Sequence, residues 1–292
     1  MIIRLFLLNL YLFLILSISG CGQEQSPILK ESAHAAEVKK PDSVHPLVAG
    51  YPEFIDSVSY DLIYWKDGST TPYRKNNNDL TGIDTLTSSE FENYLDMADA
   101  AQSLMMDYPA LSPLNTPAKN EDPGRIRDYD LLKKVYGRNA AEVEKNLVEI
   151  IWLPSSVNKK LRINSRNGAA ESLRKISAEL DTLPAKFMKY LNNPAGTYKW
   201  REIAGSDRLS AHSFGIAIDI NVIYSNYWRW DGDNSETRVN YKNSIPAEIV
   251  YIFEKNGWTW GGRWYHYDTM HFEYRPELFA AQNEETASDR RK

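Results

Sequence analysis

From residue 51 onward, apolar side chains recur in short periodic runs that predict a mixture of helices and strands. An apolar residue at every third or fourth position indicates one buried face of a helix, and strict alternation indicates a half-buried strand. Helical spacing covers 91–108, 130–136, 140–148 and 169–180, with a continuation over 187–191, and strand-like spacing covers 150–153, 197–205, 216–221 and 270–274. No internal repeat is visible, so the pattern does not indicate a solenoid or a propeller.

The N-terminus differs from the rest of the chain, because an apolar stretch from Leu5 to Leu16 follows the single basic residue Arg4. This stretch is too short to span a bilayer as a helix and is typical of a secretory signal peptide, over residues 1–20. The following Ile18-Ser19-Gly20-Cys21 resembles the bacterial lipobox, and Cys21 is the only cysteine in the chain. The resemblance implies that Cys21 carries lipid, and each buried CH₂ of its acyl chains would add about 0.8 kcal/mol of membrane affinity.

We therefore expect a protein of the cell envelope with an N-terminal lipid anchor in the membrane. The alternative is a soluble secreted protein in which Cys21 occurs by chance. Gly22 is not the Asp that retains enterobacterial lipoproteins at the inner membrane, so the expected location in a Gram-negative cell is the periplasmic face of the outer membrane. Residues 21–48 are polar, and we interpret them as a tether with solvated His34 and His45.

Composition excludes several other classes of protein. An aromatic content of 12% is too high for a disordered chain. The net charge of −5 argues against nucleic acid as a partner, because such binding needs a concentrated basic face. Beyond the N-terminus no run of 18 apolar residues occurs, which excludes a protein with several membrane spans. With one cysteine no intramolecular disulfide can form, so a hydrophobic core must stabilise the fold.

Three histidines after residue 50 lie in two short segments that also carry carboxylates. In the first segment, SAHSFGIAIDIN (210–221), isoleucines alternate with polar positions, so Asp219 faces away from them and His212 lies on the loop before the strand. In the second, WTWGGRWYHYDTMHFEY (258–274), His271 and Glu273 share one strand face. Two imidazoles, a carboxylate and an open fourth position form a usual catalytic zinc set, which His212, Asp219 and His271 could supply.

Zinc chemistry of this kind also needs a free carboxylate as general base. Asp268 and Glu273 are the candidates. Together the two segments resemble the zinc D-alanyl-D-alanine carboxypeptidases, D-Ala-D-Ala dipeptidases and L-alanyl-D-glutamate endopeptidases, which share the Hedgehog/DD-peptidase fold. The resemblance covers about 150–276, and both segments occur in the order found in the family.

The resemblance implies one zinc ion held by His212, Asp219 and His271, with Asp268 as the general base. Many members have Glu where this chain has Asp268, which is shorter. Ser210 corresponds to a serine that contacts substrate. The family also uses an upstream arginine from a GYRS-like segment, for which this chain has INSRNGAAE; Arg166 is the first choice, followed by Arg162 and Arg208.

The remaining polar residues of the second segment admit two interpretations. His266 is expected to contact substrate or to support a ligand rather than to bind zinc as a fourth ligand. Glu273 is expected to orient a ligand or to face the substrate. The tryptophans at 258, 260 and 264 indicate core packing rather than a glycan platform, and Trp228 and Trp230 could form the rim of a cleft.

We predict an α+β fold with a small antiparallel sheet that carries the zinc site and helices around it. The predicted organisation is a signal peptide (1–20), a tether (21–48), an N-terminal extension of the catalytic domain (49–149), a zinc peptidase core (150–281) and a polar tail (282–292). The predicted activity is cleavage of peptidoglycan stem peptides by a monomeric zinc metallopeptidase. D,D-carboxypeptidase activity is favoured over L-Ala-D-Glu-type endopeptidase activity. The alternative is a zinc-containing envelope binding module of the same fold without catalysis.

Overall fold

Helices and three small antiparallel sheets alternate along the part of the chain that the structure, a computed structural model, describes: residues 44–75, 79–203, 206–230, 235 and 237–280. The strands are β1 (Ile55–Val58), β2 (Leu62–Trp65), β3 (Thr70–Pro72), β4 (Leu147–Trp152), β5 (Lys159–Asn164), β6 (Ala217–Asp219), β7 (Trp258–Trp260) and β8 (His271–Tyr274). The α-helices are α1 (Pro46–Gly50), α2 (Ser88–Asp96), α3 (Tyr129–Tyr136), α4 (Ala140–Lys145), α5 (Ala169–Leu180), α6 (Met188–Leu191), α7 (Ala247–Glu254) and α8 (Glu277–Ala280). Short 3-10 turns connect several of them. The predicted combination of helices with small antiparallel sheets is confirmed.

The three sheets have the strand orders β1-β2-β3, β4-β5 and β6-β8-β7. In the third sheet, β8 is the central strand and pairs antiparallel with both neighbours. Its register places His271 opposite Asp219, and Glu273 opposite Ala217. The pairing thus brings together two residues that are 52 positions apart in the sequence.

The rear face of the third sheet is fixed in the main hydrophobic core. Phe272 of β8 stacks on Phe253 of α7 with 3.8 Å between ring centroids, and both are fully buried. Helix α5 packs on the same core through Leu173, Ile176 and Leu180 of the apolar face that its spacing predicts, whereas Ala169 of that face packs in a second hydrophobic cluster. A rigid, buried backing of this kind holds the opposite face of the sheet in a defined geometry.

The described residues of 44–149 and of the segments that follow belong to one compact unit. Helix α2 begins at Ser88, with a capping box in which the Thr87 hydroxyl accepts from Glu90 N and the Glu90 carboxylate accepts from Thr87 N. It ends at Asp96 rather than near residue 108. Asp99 accepts from Gln102 N at 2.9 Å and starts a separate turn, and such side-chain bonds to the backbone compete with a continuous helix.

Two other predicted elements differ in the structure. The helix predicted over 140–148 stops at Lys145, because Leu147 already pairs with Asn164 in the β4-β5 hairpin. Residues 197–203 form no regular strand. Their backbone bonds instead to the turn that carries His212: Lys199 N donates to His212 O at 3.3 Å.

The last residues of the predicted tether are folded. His45 caps helix α1, since its Nδ1 accepts from Leu47 N at 3.2 Å, and its ring packs edge-on against Tyr73. Leu47 is buried. The interpretation of His45 as a solvated linker residue is therefore wrong.

Several predictions concern residues outside the described part of the chain. These are the signal peptide over 1–20, the lipidated Cys21, the tether up to residue 43, and the tail over 282–292. Among the helices that the structure describes, none combines the length and the apolar character needed to cross a membrane.

Candidate metal centre

Strands β6 and β8 position two of the three predicted zinc ligands. Asp219 ends β6 and His271 begins β8, directly opposite each other. Their neighbours Ile218 and Phe272 are fully buried in the core. Because successive residues of a strand point to opposite faces, Asp219 and His271 share the face that is turned away from the core, as the alternation predicts.

The third predicted ligand, His212, lies on the 3-10 turn Ala211–Phe214 just before β6. The turn is capped by Ser210, whose Oγ accepts from His212 N at 3.4 Å. Gly215 then adopts a left-handed conformation with φ +64°, and a Cβ there would lie 2.7 Å from the Leu147 side chain. Only glycine meets both conditions without strain, so the sequence itself builds a sharp bend at this position.

The side chains of His212, Asp219 and His271 converge. Asp219 Oδ1 lies 3.1 Å from His212 Nε2 and 3.1 Å from His271 Nδ1, and one donor atom from each residue lies within 4.8 Å of the others. His212 Nδ1 is 3.1 Å from the carbonyl oxygen of Thr197, to which it donates when it carries the proton. Its Nε2 is then the unprotonated nitrogen, and it is buried and directed at the Asp219 carboxylate. Two imidazole nitrogens and one carboxylate oxygen around a common point fit a zinc ion.

Charge within this cluster favours a cation. Burial alone would raise the pKa of Asp219, but the His212 and His271 side chains outweigh burial and hold that pKa well below its usual range. Burial lowers the pKa of His271, whereas its hydrogen bonds to Asp219 and Glu273 raise it to about 9. A proton and a metal ion therefore compete for the same nitrogen of His271, so metal binding is expected to release protons.

Of the two candidate bases, Asp268 faces the cavity beside the ligands. Burial and the nearby Asp219 carboxylate raise the pKa of Asp268 to about 6. Its Oδ1 is buried and makes no hydrogen bond within the described residues. The loop that carries Asp268 is held tightly against Gly261, since Asp268 N donates to Gly261 O at 3.0 Å. The two segments are so close that a Cβ on Gly261 would come within 2.4 Å of Asp268 O. The geometry thus leaves one carboxylate oxygen of Asp268 available to accept a proton.

Glu273 lies behind the ligands and does not line the cavity. Its Oε2 is 3.4 Å from His271 Nε2, the ring nitrogen on the side away from Asp219. Burial would raise the pKa of Glu273, but the Arg127 guanidinium holds it well below the usual range. Its position agrees with the role of orienting a ligand and not with a contact to substrate.

His266 is not placed to bind a metal ion together with the three predicted ligands, because both of its ring nitrogens are engaged elsewhere. Nδ1 lies 2.9 Å from Asp122 Oδ2 and Nε2 lies 3.0 Å from Ser88 Oγ. His266 nonetheless borders the cavity. The order Ser88, His266, Asp122 resembles a hydrolase triad, but Ser88 is 3% exposed and does not line the cavity, so it has no access to a substrate. The three residues instead brace the cavity wall.

None of the three arginines considered from the sequence lines the cavity. The guanidinium of Arg166 lies 4.8 Å from the centre of the Phe54 ring, and that of Arg162 lies over Tyr198. Arg208 pairs with Glu92 and with Asp96. The structure therefore does not bring the first choice, Arg166, to the predicted ligands.

Three other arginines line the cavity: Arg125, Arg127 and Arg201. The sequence analysis singled out none of them, including the two that directly follow the turn at Glu121–Gly124. Arg125 pairs with Asp122 and Glu92, and Arg127 with Glu273. The sequence does show two arginines at alternate positions directly after an acidic turn. That pattern does not indicate which distant carboxylates the arginines meet.

Glu92 of helix α2 connects several segments of the cavity wall. Its carboxylate accepts hydrogen bonds from Arg125, Arg208 and Arg229. Burial would raise the pKa of Glu92, but Arg125 and Arg208 outweigh it and lower the pKa to about 2. One carboxylate thus fixes three arginines that come from separate loops.

The cavity has a volume of about 340 Å³ and borders all three ligands. Ser210 contributes to its lining, and its contact with substrate stays a prediction. Trp228 and Trp230 lie on the wall, in agreement with a cleft rim, and Trp230 is 62% exposed. By contrast, Trp258 and Trp260 are fully buried in the core.

Comparison with known proteins gives one family match. Residues 204–274 match the family described as D-alanyl-D-alanine carboxypeptidase, over about a quarter of the chain. No curated protein and no solved structure matches the chain. The matched segment contains His212, Asp219, Asp268 and His271, so the match supports the zinc DD-peptidase family at the residues that form the cluster. Arg125 and Arg127 lie outside it.

Proposed function

We propose that the protein is a zinc-dependent peptidase that cleaves peptidoglycan stem peptides. The observation that carries the proposal is the convergence of His212, Asp219 and His271 beside Asp268 in one cavity, within a segment similar to the D-alanyl-D-alanine carboxypeptidases. D,D-carboxypeptidase activity is the first expectation, and L-Ala-D-Glu-type endopeptidase activity is the second. The lipobox-like sequence at Cys21 supports an anchor that would keep the peptidase in the cell envelope.

A zinc ion at this site would act as a Lewis acid on a peptide carbonyl and lower the pKa of a water molecule toward about 7. The chain supplies the groups for proton transfer. Asp268 lines the cavity, and its Oδ1 has no hydrogen-bond partner among the described residues, so this side chain can take a proton from the attacking water and pass it to the leaving amine. The same carboxylate would therefore serve first as base and then as acid.

Arg201 is the cavity arginine that can meet an incoming anion. Arg125 and Arg127 are already paired with carboxylates, whereas Arg201 is exposed and has no ion pair among the described residues. Stem peptides end in a carboxylate, and a guanidinium binds such a group through paired hydrogen bonds. We infer that Arg201 holds the carboxylate of the substrate.

Replacement of Arg201 by Gln should lower kcat/KM by about 10- to 100-fold, mainly through KM, because a hydrogen bond to a charged group contributes about 1.5–3 kcal/mol. Arg166→Gln is the matched control, since Arg166 lies over Phe54 and away from the cavity. Steady-state kinetics on a defined stem peptide distinguishes the two positions. A large loss in Arg166→Gln with none in Arg201→Gln would restore the assignment made from the sequence.

The activity itself is tested by incubating the purified protein with muropeptides that carry a D-Ala-D-Ala terminus. We expect release of D-alanine or of a peptide fragment, loss of release with a chelator, and recovery when zinc is added back. This result separates a peptidase from the alternative, a zinc-containing binding module. Tight zinc binding without cleavage of any muropeptide would favour the binding module.

A further inference from the structure

Glu273 is a fully buried carboxylate that contacts a predicted metal ligand from behind. Its Oε2 is 3.4 Å from His271 Nε2, while Nδ1 of the same ring faces Asp219 at 3.1 Å. When Nε2 carries the proton and donates it to Glu273, Nδ1 is left unprotonated and can bind a cation. The orientation and tautomer of His271 therefore depend on where the Glu273 carboxylate lies.

Arg127 holds both oxygens of the Glu273 carboxylate. Arg127 Nε lies 2.7 Å from Glu273 Oε1 and 3.0 Å from Oε2, and its NH2 group also bonds to Oε2. The Arg127 side chain is 5% exposed, and its guanidinium lies over the Trp264 ring at 5.8 Å. The other nearby guanidinium, that of Arg275, is 3.7 Å from Glu273 and bonds mainly to Glu277 and to backbone carbonyls. Arg127 is thus the main partner of Glu273.

We propose that Arg127 is a positioning residue of the metal centre, which holds Glu273 against His271 so that Nδ1 is presented to the metal. This inference rests on the proposed zinc site. It adds to the proposed metal site a residue that lies outside the matched segment 204–274. The loop after Asp122 is then part of the metal centre, although none of its residues is a ligand.

The test is zinc affinity, measured by competition with a chelator on folded protein. Arg127→Met should weaken zinc binding by about 10- to 100-fold, the usual effect of removing a group that orients a ligand. Glu273→Gln should have a similar effect. Because Arg127 acts through Glu273, the double variant Arg127→Met/Glu273→Gln should bind zinc no more weakly than Glu273→Gln alone. The double variant also leaves no unpaired buried carboxylate, so it should fold even if Arg127→Met alone does not.

Arg263→Met is the matched control. Arg263 pairs with Glu254 at the same burial as the Arg127–Glu273 pair, with side chains 5% and 0% exposed, and its hydrogen bonds go to Glu254 and to the 112–113 loop. The Arg263→Met variant should lower thermal stability as Arg127→Met does. Its zinc affinity should nevertheless stay within about twofold of the wild-type value.

Unchanged zinc affinity in Arg127→Met, an equal loss in Arg263→Met, or additive losses in the double variant would each overturn the proposal. A wild-type protein that binds zinc but cleaves no muropeptide would contradict the proposed peptidase function and leave this inference intact. A wild-type protein that binds no zinc would overturn both.

Discussion

Replacement of His212 or His271 by Ala should abolish stoichiometric zinc binding and peptide cleavage together. Each side chain supplies one of three converging donor atoms. Zinc binding at protein sites contributes about 10–16 kcal/mol in total, so the loss of one of three ligands should weaken affinity by a factor on the order of 10³ or more. Metal analysis after dialysis and a muropeptide assay on the same sample measure both effects.

His266→Gln is the control for these two variants. His266 borders the same cavity, but its nitrogens bond to Asp122 and Ser88 and are not available to a metal. The variant should lose about 1–3 kcal/mol of stability, because it disrupts buried hydrogen bonds, and should still bind one zinc ion. If His266→Gln lost its zinc while His212→Ala retained it, the assignment of ligands would be wrong.

Replacement of Asp268 by Asn should lower kcat by about 10²- to 10⁴-fold while zinc remains bound, because an amide cannot take the proton that a general base accepts. Asp268 borders the cavity and contributes no atom to the three-residue cluster, so metal content should not change. Single-turnover rates and zinc content of the same preparation check both halves of the prediction.

Asp268→Glu is the matched variant, since it restores the carboxylate on a longer side chain. It should recover part of the activity that Asp268→Asn loses. Full activity of Asp268→Asn would eliminate Asp268 as the base. A loss of zinc in Asp268→Asn would instead show that Asp268 acts on the metal centre itself.

The convergence of His212, Asp219 and His271 was predictable from sequence because it depends on local periodicity. Alternation around Asp219 and His271 fixes which strand face each occupies, and Gly215 indicates the bend that returns His212 to them. The antiparallel pairing of β6 with β8 then places Asp219 opposite His271. These features are encoded within two short segments, 210–221 and 258–274.

The arginines were not predictable in the same way. Arg166 follows β5 at the place that the family resemblance indicates, but the structure packs it on Phe54 of the N-terminal region. Arg127 reaches Glu273 across 146 positions of sequence. Such a pairing depends on how residues 44–149 pack on the sheet, and neither hydrophobic periodicity nor residue spacing contains that information. The same holds for the bonds from His266 to Ser88 and Asp122.

The premature end of helix α2 has a similar origin. Apolar spacing continues past Asp96, but Asp99 bonds to the backbone of Gln102 and to Lys75 N, which comes from another segment. The sequence can indicate that an aspartate side chain will compete with the helix for backbone hydrogen bonds. Its contact with Lys75 is a tertiary interaction, and periodicity alone therefore predicts too long a helix.

Anomalous X-ray diffraction at the zinc edge, from crystals of the zinc-loaded protein, tests the metal centre most directly. We predict one peak at about 2.0–2.2 Å from His212 Nε2, His271 Nδ1 and an oxygen of Asp219, with no fourth protein ligand. A peak at another place, a fourth side chain bound to the metal, or no peak in zinc-loaded crystals would contradict the account.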